Sequence, residues 1–177
     1  MDKIAAMRYG KALFELALES SQLEEYNAAA MGLVNLLESD EHFYKMVSHP
    51  GIPSDEKVGF VEATLKGKVP EDFIGLIVLL LRRGREDNMH TLFMHFNTLY
   101  LDFTKQANGL LLSATQLSES KVEEITKIIS QKIDKKATLE VVVNPELLAG
   151  FRVEIDGLVF DSSAKGQLNN LKKELLA

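Results

Sequence analysis

The residues that could do chemistry are few and poorly spaced for it. The four histidines are His42, His49, His90 and His95. A helical metal pair needs its members three or four residues apart, so that both rings project from one face; His90 and His95 are five apart and diverge by about 140° at 3.6 residues per turn. Adjacent acids occur at Glu24-Glu25, Asp40-Glu41, Glu71-Asp72 and Glu123-Glu124. Neighbours on a helix point apart, so these pairs mark solvated faces or helix starts rather than acid–base couples. No G-x-x-x-x-G-K-[ST] string is present: Gly10-Lys11-Ala12 and Gly67-Lys68-Val69 lack both the spacing and the hydroxyl. There is also no G-x-G-x-x-G and no G-x-S-x-G elbow. With no cysteine in the chain, disulfides, iron–sulfur clusters, thiolate zinc and cysteine nucleophiles are excluded. The expectation is a protein without metal, cofactor or catalytic residue. A rival reading, a small enzyme, would require titratable groups converging in a pocket.

The elements that must position whatever remains are built from 177 residues, 46 % of them hydrophobic and 26 % charged. That is enough chain to bury roughly 70 % of its unfolded surface without staples. The net charge is −6. Residues 1–105 hold 11 basic and 16 acidic side chains and the remainder hold 9 and 10, so neither half has the basic excess that phosphate neutralisation needs. The opening Met1-Asp2-Lys3-Ile4 predicts neither a secretory leader nor a transit peptide. The longest apolar run, Phe73 to Leu81, is nine residues, against about 20 for a membrane span. The expectation is a soluble chain, held at a membrane, if at all, by a partner.

Apolar residues recur at helical spacing through the first stretch. Helices are predicted over 4–19, 23–38, 40–47, 54–65, 71–83 and 87–106. Ser39-Asp40 and Ser54 are expected to cap their helices, and Arg82, Arg83 and Gly84 to stop the fifth. The second helix shows Tyr26, Ala30, Leu33, Val34 and Leu37 on one stripe, and the sixth shows Leu92, Phe96, Leu99, Tyr100 and Phe103. The texture changes near Asn108-Gly109. Strands are predicted over 110–115, 138–143, 151–155 and 158–160, with a helix over 118–133 between the first two. Asp156-Gly157 is a two-residue hairpin turn, and Asp161-Ser162-Ser163 starts a last helix carrying Leu168, Leu171 and Leu175. The fold class is thus α+β: a six-helix bundle over 1–106, then a small β-α-β-β-β-α domain over 107–177. The second half has no aromatic repeat on its strands, which speaks against a nucleic-acid platform.

Two helices carry more apolar surface than one core stripe absorbs. The fifth has Phe73, Ile74, Leu76, Ile77, Val78, Leu79, Leu80 and Leu81; the first has Ile4, Met7, Leu13, Phe14, Leu16, Ala17 and Leu18 with small gaps at Ala5, Ala6, Gly10 and Ala12. Either the fifth is a central helix covered by its neighbours, or the pair forms a groove that receives a helix from another protein. Tyr9, with an apolar ring and a polar tip, fits a core site or a groove rim.

The segment Ala5-Ala6-Met7-Arg8-Tyr9-Gly10-Lys11-Ala12-Leu13-Phe14 resembles the A-x-R-Y-A-K-A-L-F opening of the delta subunits of F-type ATP synthases, relatives of the mitochondrial oligomycin sensitivity-conferring protein. Asn144 to Val153 and Asp161 to Leu168 resemble that family's P-x-L-[IL]-G-G-[FV] and D-G-S-x-[RK]-G-x-L signatures. The apolar fifth helix ending in Gly84-Arg85 is similar too. Gly10, Ala149 and Ser162 depart from the pattern; at Ser162 a glycine able to take positive φ is replaced, so either the turn differs or Ser162 acts as a cap. The resemblance implies a non-catalytic stator subunit, one copy per complex. Its helical domain would take the amino-terminal helix of an ATP synthase α subunit between the first and fifth helices, and its second domain would join the carboxy terminus of the b-subunit stalk. Mapped here, the partner-binding residues would be Tyr9, Ala12, Leu13, Leu76, Leu79, Leu80 and Arg83. The resemblance also implies a peripheral place on the cytoplasmic face of a bacterial inner membrane, reached only through the complex, and no nucleic-acid partner.

Overall fold

A computed structural model describes residues 3–166 and residue 168. The chain is mixed helix and sheet, an α+β protein, and divides into two compact units, 1–100 and 101–177. The division falls inside a helix, ahead of the change of texture at Asn108-Gly109.

The first unit is built from α1 (Lys3–Glu19), α2 (Leu23–Ser39), α3 (Glu41–Ser48), α4 (Ser54–Leu65), α5 (Glu71–Arg82) and most of α6 (Met89–Phe103). Asp40 caps α3 as its type predicts, accepting from the backbone N–H groups of His42 and Phe43 at 2.9 and 3.0 Å. Ser54 does not cap α4: it is the first helical residue, Pro53 holds the cap position, and the Pro53 carbonyl accepts from Glu56 and Lys57. A 3-10 turn over Glu86–Asn88 precedes α6, which therefore begins two residues late. The core gathers Leu13, Ala17, Tyr26, Leu33, Phe73, Ile77, Leu80, Leu92, Phe93 and Phe96. Phe73 stacks on Phe93 at 5.1 Å between ring centroids and meets the edge of Tyr26 at 6.2 Å. Phe93, absent from the expected stripe of α6, is buried, whereas Phe103 is 61 % exposed.

The second unit is a four-stranded sheet, β1 (Gln106–Ser113), β2 (Lys136–Val143), β3 (Phe151–Ile155) and β4 (Leu158–Asp161), in the order β2-β1-β3-β4, with α7 (Glu119–Ile133) linking the parallel pair β1 and β2. Opposite Leu111 lie Val141 on β2 and Val153 on β3. One face is closed by Ile125 and Ile129 of α7 against Ala107, Leu111, Ala137, Val153 and Ile155. Asp156 and Gly157 have φ of +52° and +73°, as the hairpin requires. Strand β1 starts four residues earlier than its composition predicts, so Asn108-Gly109 lies in the sheet. A Cβ on Gly109 would sit 2.6 Å from Ile155 Cβ and 2.7 Å from the Glu154 carbonyl, so glycine here permits close strand approach.

At the last strand's end, Asp161 Oδ1 accepts from Ser163 N–H and Oγ–H at 2.9 and 2.7 Å, and Ser163 Oγ accepts from Gly166 N–H at 3.0 Å. Ser163 is therefore the cap and Ser162 is not. Those two bonds, with the nearby Arg152, hold the Asp161 carboxyl below its ordinary pKa. The predicted stripe residues Leu171 and Leu175 lie outside the described residues.

Candidate partner-binding surface

Both α1 and α5 carry a buried inner apolar stripe and, beside it, a second and partly exposed one. On α1 the inner stripe is Ala6, Gly10, Leu13 and Ala17, all buried; a Cβ on Gly10 would meet the Leu92 carbonyl at 3.0 Å and the His95 ring at 3.2 Å, so the small residue lets α1 lie tight on α6. Beside it run Tyr9, Ala12 and Leu16, spaced i, i+3, i+7 and hence on one flank. Tyr9 is half-buried, Ala12 exposed and Leu16 37 % exposed. On α5 the inner stripe is Phe73, Ile77, Leu80 and Leu81, each at most 2 % exposed. Its flank is Leu76, Leu79 and Arg83, with the same i, i+3, i+7 spacing; Leu76 is half-buried, Leu79 39 % exposed and Arg83 exposed.

The chain's turn after α5 ties the two flanks together. Gly84 takes φ +60°, its N–H donates to the Leu81 carbonyl, and the Arg85 N–H donates to the Leu80 carbonyl at 2.9 Å. This is the Schellman pattern, which satisfies orphan carbonyls and reverses the chain. It brings Arg85 back to α1: Nη1 donates to the Tyr9 hydroxyl at 3.3 Å and the guanidinium carbon lies 6.0 Å from the ring centroid. Tyr9 is thereby fixed as a half-buried post between α1 and the end of α5.

Of the seven residues mapped from the sequence, five lie on these flanks: Tyr9, Ala12, Leu76, Leu79 and Arg83. Leu13 and Leu80, at 3 % and 0 % exposed, face the core instead and offer a partner no surface. They differ from the flank by one helical position, about 100°. The mapping omits Leu16, which extends the α1 flank by a turn, and Arg85, which orients Tyr9.

Several other polar groups serve the fold. Lys57 is 3 % exposed and pairs with Glu86 across α4 and the 3-10 turn. His90 bonds Glu38 at 2.8 Å and His95 packs on Gly10. Tyr26 has its pKa raised by burial, with Asp72 nearby adding to the effect. Among the described residues no group of three or more His, Cys, Asp or Glu is placed to hold a metal, and no helix is long and apolar enough to cross a membrane.

The chain thus joins a helical unit with partly exposed apolar flanks on α1 and α5 to a small four-stranded sheet unit. Residues 5–175 match the family described as ATP synthase delta (OSCP) subunit. The chain is 31 % identical over 176 residues to ATP synthase subunit delta of Lachnoclostridium phytofermentans, spanning 99 % of this chain and 97 % of that one. It is 30 % identical over 173 residues to ATP synthase subunit delta of Halalkalibacterium halodurans, spanning 97 % and 94 %. A chain of the Toxoplasma gondii mitochondrial ATP synthase hexamer shares the fold, with a TM-score of 0.81 at 19 % identity over 97 % of each chain. The protein belongs to the ATP synthase delta (OSCP) subunit family: it is a structural, non-catalytic subunit of F-type ATP synthase and a component of its stator.

Proposed function

We propose that the first unit binds the amino-terminal helix of an ATP synthase α subunit across the flanks of α1 and α5, and that the second unit joins the carboxy-terminal end of the b-subunit stalk. The observation that carries this reading is the matched spacing of Tyr9, Ala12 and Leu16 on α1 with Leu76, Leu79 and Arg83 on α5. Ala12, Leu16, Leu79 and Arg83 stand exposed, and Tyr9 and Leu76 pack against the helical core with only part of their surface. An apolar helix laid along them gains affinity from buried area, and Arg83 and Arg85 at one end suit a carboxylate on the incoming helix. The work of such a subunit is binding free energy: it stops the catalytic head from turning with the rotor while protons cross the membrane. Attachment through two units within one assembly raises effective concentration, so neither contact need be extreme alone. The protein then sits peripherally on the cytoplasmic face of the bacterial inner membrane, one copy per complex, with no cofactor.

The test is calorimetric titration of the full chain with a synthetic peptide copying the amino terminus of the α subunit from the same organism, about 20 residues long as the helix-in-groove mode requires. One-to-one binding at micromolar affinity or better is expected. No heat at high micromolar peptide would overturn the reading and return the apolar flanks to unexplained surface.

A further inference from the structure

We infer that the Asp156-Gly157 turn between β3 and β4 is a site of spontaneous covalent modification, aspartate to isoaspartate, and that Lys135 restrains it. The chemistry needs no enzyme. The main-chain nitrogen of Gly157 attacks Cγ of the protonated Asp156 side chain; the new N–Cγ bond forms as the Cγ–OH bond breaks, and the amide proton leaves with the hydroxyl as water. Water then opens the resulting cyclic imide at either carbonyl. Opening at Cγ restores aspartate. Opening at the former main-chain carbonyl routes the chain through Cβ and Cγ and leaves a carboxylate on Cα. One water is lost and one regained, and nothing is oxidised or reduced.

Two dipeptides in the chain are built for this reaction, Asn108-Gly109 and Asp156-Gly157, since glycine leaves the attacking nitrogen unscreened. By composition the asparagine reacts first, because its amide expels ammonia without the protonation a carboxylate needs. The structure reverses that order. Gly109 lies between Leu139 of β2 and Ile155 of β3, and closing the imide turns the Asn108 main chain out of the extended form that this pairing holds. A carbon added at Gly109 already falls 2.6 Å from Ile155 Cβ. Around the turn there is room: Asp156 and Gly157 are exposed, and a carbon added at Gly157 meets nothing within 4 Å. Among the described residues the Gly157 N–H donates to no partner, as expected of the second central residue in a two-residue hairpin turn.

Lys135 is what holds the turn back. Its Nζ donates to Asp156 Oδ2 at 2.9 Å and to Asp102 Oδ1 at 2.7 Å, so one ammonium ties the β3–β4 turn to the last turn of α6. Cγ of Asp156 reaches the Gly157 nitrogen only after that bond is released. The product cannot remake it in the same place. Its carboxylate sits one bond nearer Cα, and the turn is longer by one main-chain atom, in a hairpin whose register a two-residue turn sets. Isomerisation therefore unfastens Lys135 from the hairpin and strains the pairing of Val153 with Phe160 and of Glu154 with Val159.

The experiment ages the full chain at mildly acidic pH and follows positions 108 and 156 by peptide mapping, counting isoaspartate by methylation with an isoaspartyl methyltransferase. Isoaspartate is expected at 156 and not at 108. Lys135→Met is expected to speed its appearance about two- to fivefold, the range that an exposed ion pair supports. Asp156→Asn, which needs no protonation, is expected to convert far faster than the parent. Position 108 reports on folding: it is expected to stay intact in all three proteins and to deamidate once urea unfolds them. An unconverted position 156 in Asp156→Asn would show that the turn forbids ring closure and would overturn the proposal. Equal rates in the parent and Lys135→Met, or faster conversion at 156 accompanied by conversion at 108, would overturn the role of Lys135. Deamidation at 108 ahead of conversion at 156 in the folded parent would overturn the reversed order.

Discussion

Replacing Leu79 by Asp separates docking surface from core more sharply than any other change in the first unit. Leu79 is 39 % exposed in the free protein, so a helix covering it removes the remaining apolar area, worth about 1 kcal/mol given ~1.5–3 kcal/mol for full burial of a leucine. An aspartate there loses that gain and must also be desolvated without a partner, adding on the order of 2 kcal/mol or more. Together these come to about 3 kcal/mol, more than a hundredfold in Kd. In the free protein the carboxylate stands in water, and the expected change in folding stability is within about 0.5 kcal/mol. Leu80→Ala is the mirror experiment: at 0 % exposed, its loss is expected to cost about 2–5 kcal/mol of folding. Calorimetry with the α-subunit peptide, paired with urea unfolding of both variants, reads the two effects separately. If Leu79→Asp binds as the parent does while remaining folded, the α5 flank is not the contact; if it unfolds the protein, the division of α5 into inner and outer stripes is mistaken.

Two glycines are expected to respond oppositely to alanine. Gly109→Ala puts a Cβ within 2.7 Å of Ile155 and the Glu154 carbonyl, an overpacking expected to cost about 1–3 kcal/mol in urea unfolding. Gly75→Ala, inside α5 with nothing within 4 Å of the added carbon, is expected to stabilise by about 0.5–1 kcal/mol. Lys57→Met strands Glu86, one of whose oxygens already lacks a partner, and is expected to cost about 3–5 kcal/mol; a loss under 1 kcal/mol in thermal unfolding would show that water satisfies the site. The Asp161 carboxyl, held low by Ser163, stabilises the second unit above the ordinary aspartate range and loses that contribution as pH falls through its depressed folded value. Ser163→Ala removes the Oγ–H donor but keeps the backbone N–H, so the NMR titration of Asp161 is expected to move up toward the ordinary value, and an unmoved titration would assign the shift to the backbone N–H and Arg152 instead.

The order of elements was legible because periodicity is a property of the chain itself. Val122, Ile125, Ile129 and Ile133 repeat as a helix, and Phe151, Val153 and Ile155 alternate as a strand, before any tertiary contact is known. The errors fall where a neighbour decides. Gln106 to Gly109 has no β-branched residue, and pairing with Lys136 to Leu139 on β2, with Ile155 of β3 opposite Gly109, draws it into β1. Ser54 has the type of a cap, yet Pro53 with its fixed φ takes that place. On α6, Phe93 and Phe103 have equal claims by composition, and the aromatic partner Phe73 settles the matter for Phe93.

The candidate surface was legible as a surplus and not as a set of residues, for a reason that follows from the same periodicity. Amphipathic contrast tells which side of a helix faces inward, and α5 supplies almost none between Phe73 and Leu81, so Leu79 and Leu80 are indistinguishable until Phe73 and Ile77 show which way the core lies. On α1 the contrast is stronger, since Arg8, Lys11 and Glu15 mark the outer side, yet Leu13 and Leu16 still look alike until Gly10 is seen against the Leu92 carbonyl. The Tyr9–Arg85 contact spans 76 residues and depends on the left-handed Gly84; no local pattern announces it. A flank that its own core leaves partly exposed becomes distinguishable only after the core has been accounted for, which is why the α1 and α5 flanks emerge by subtraction from the structure.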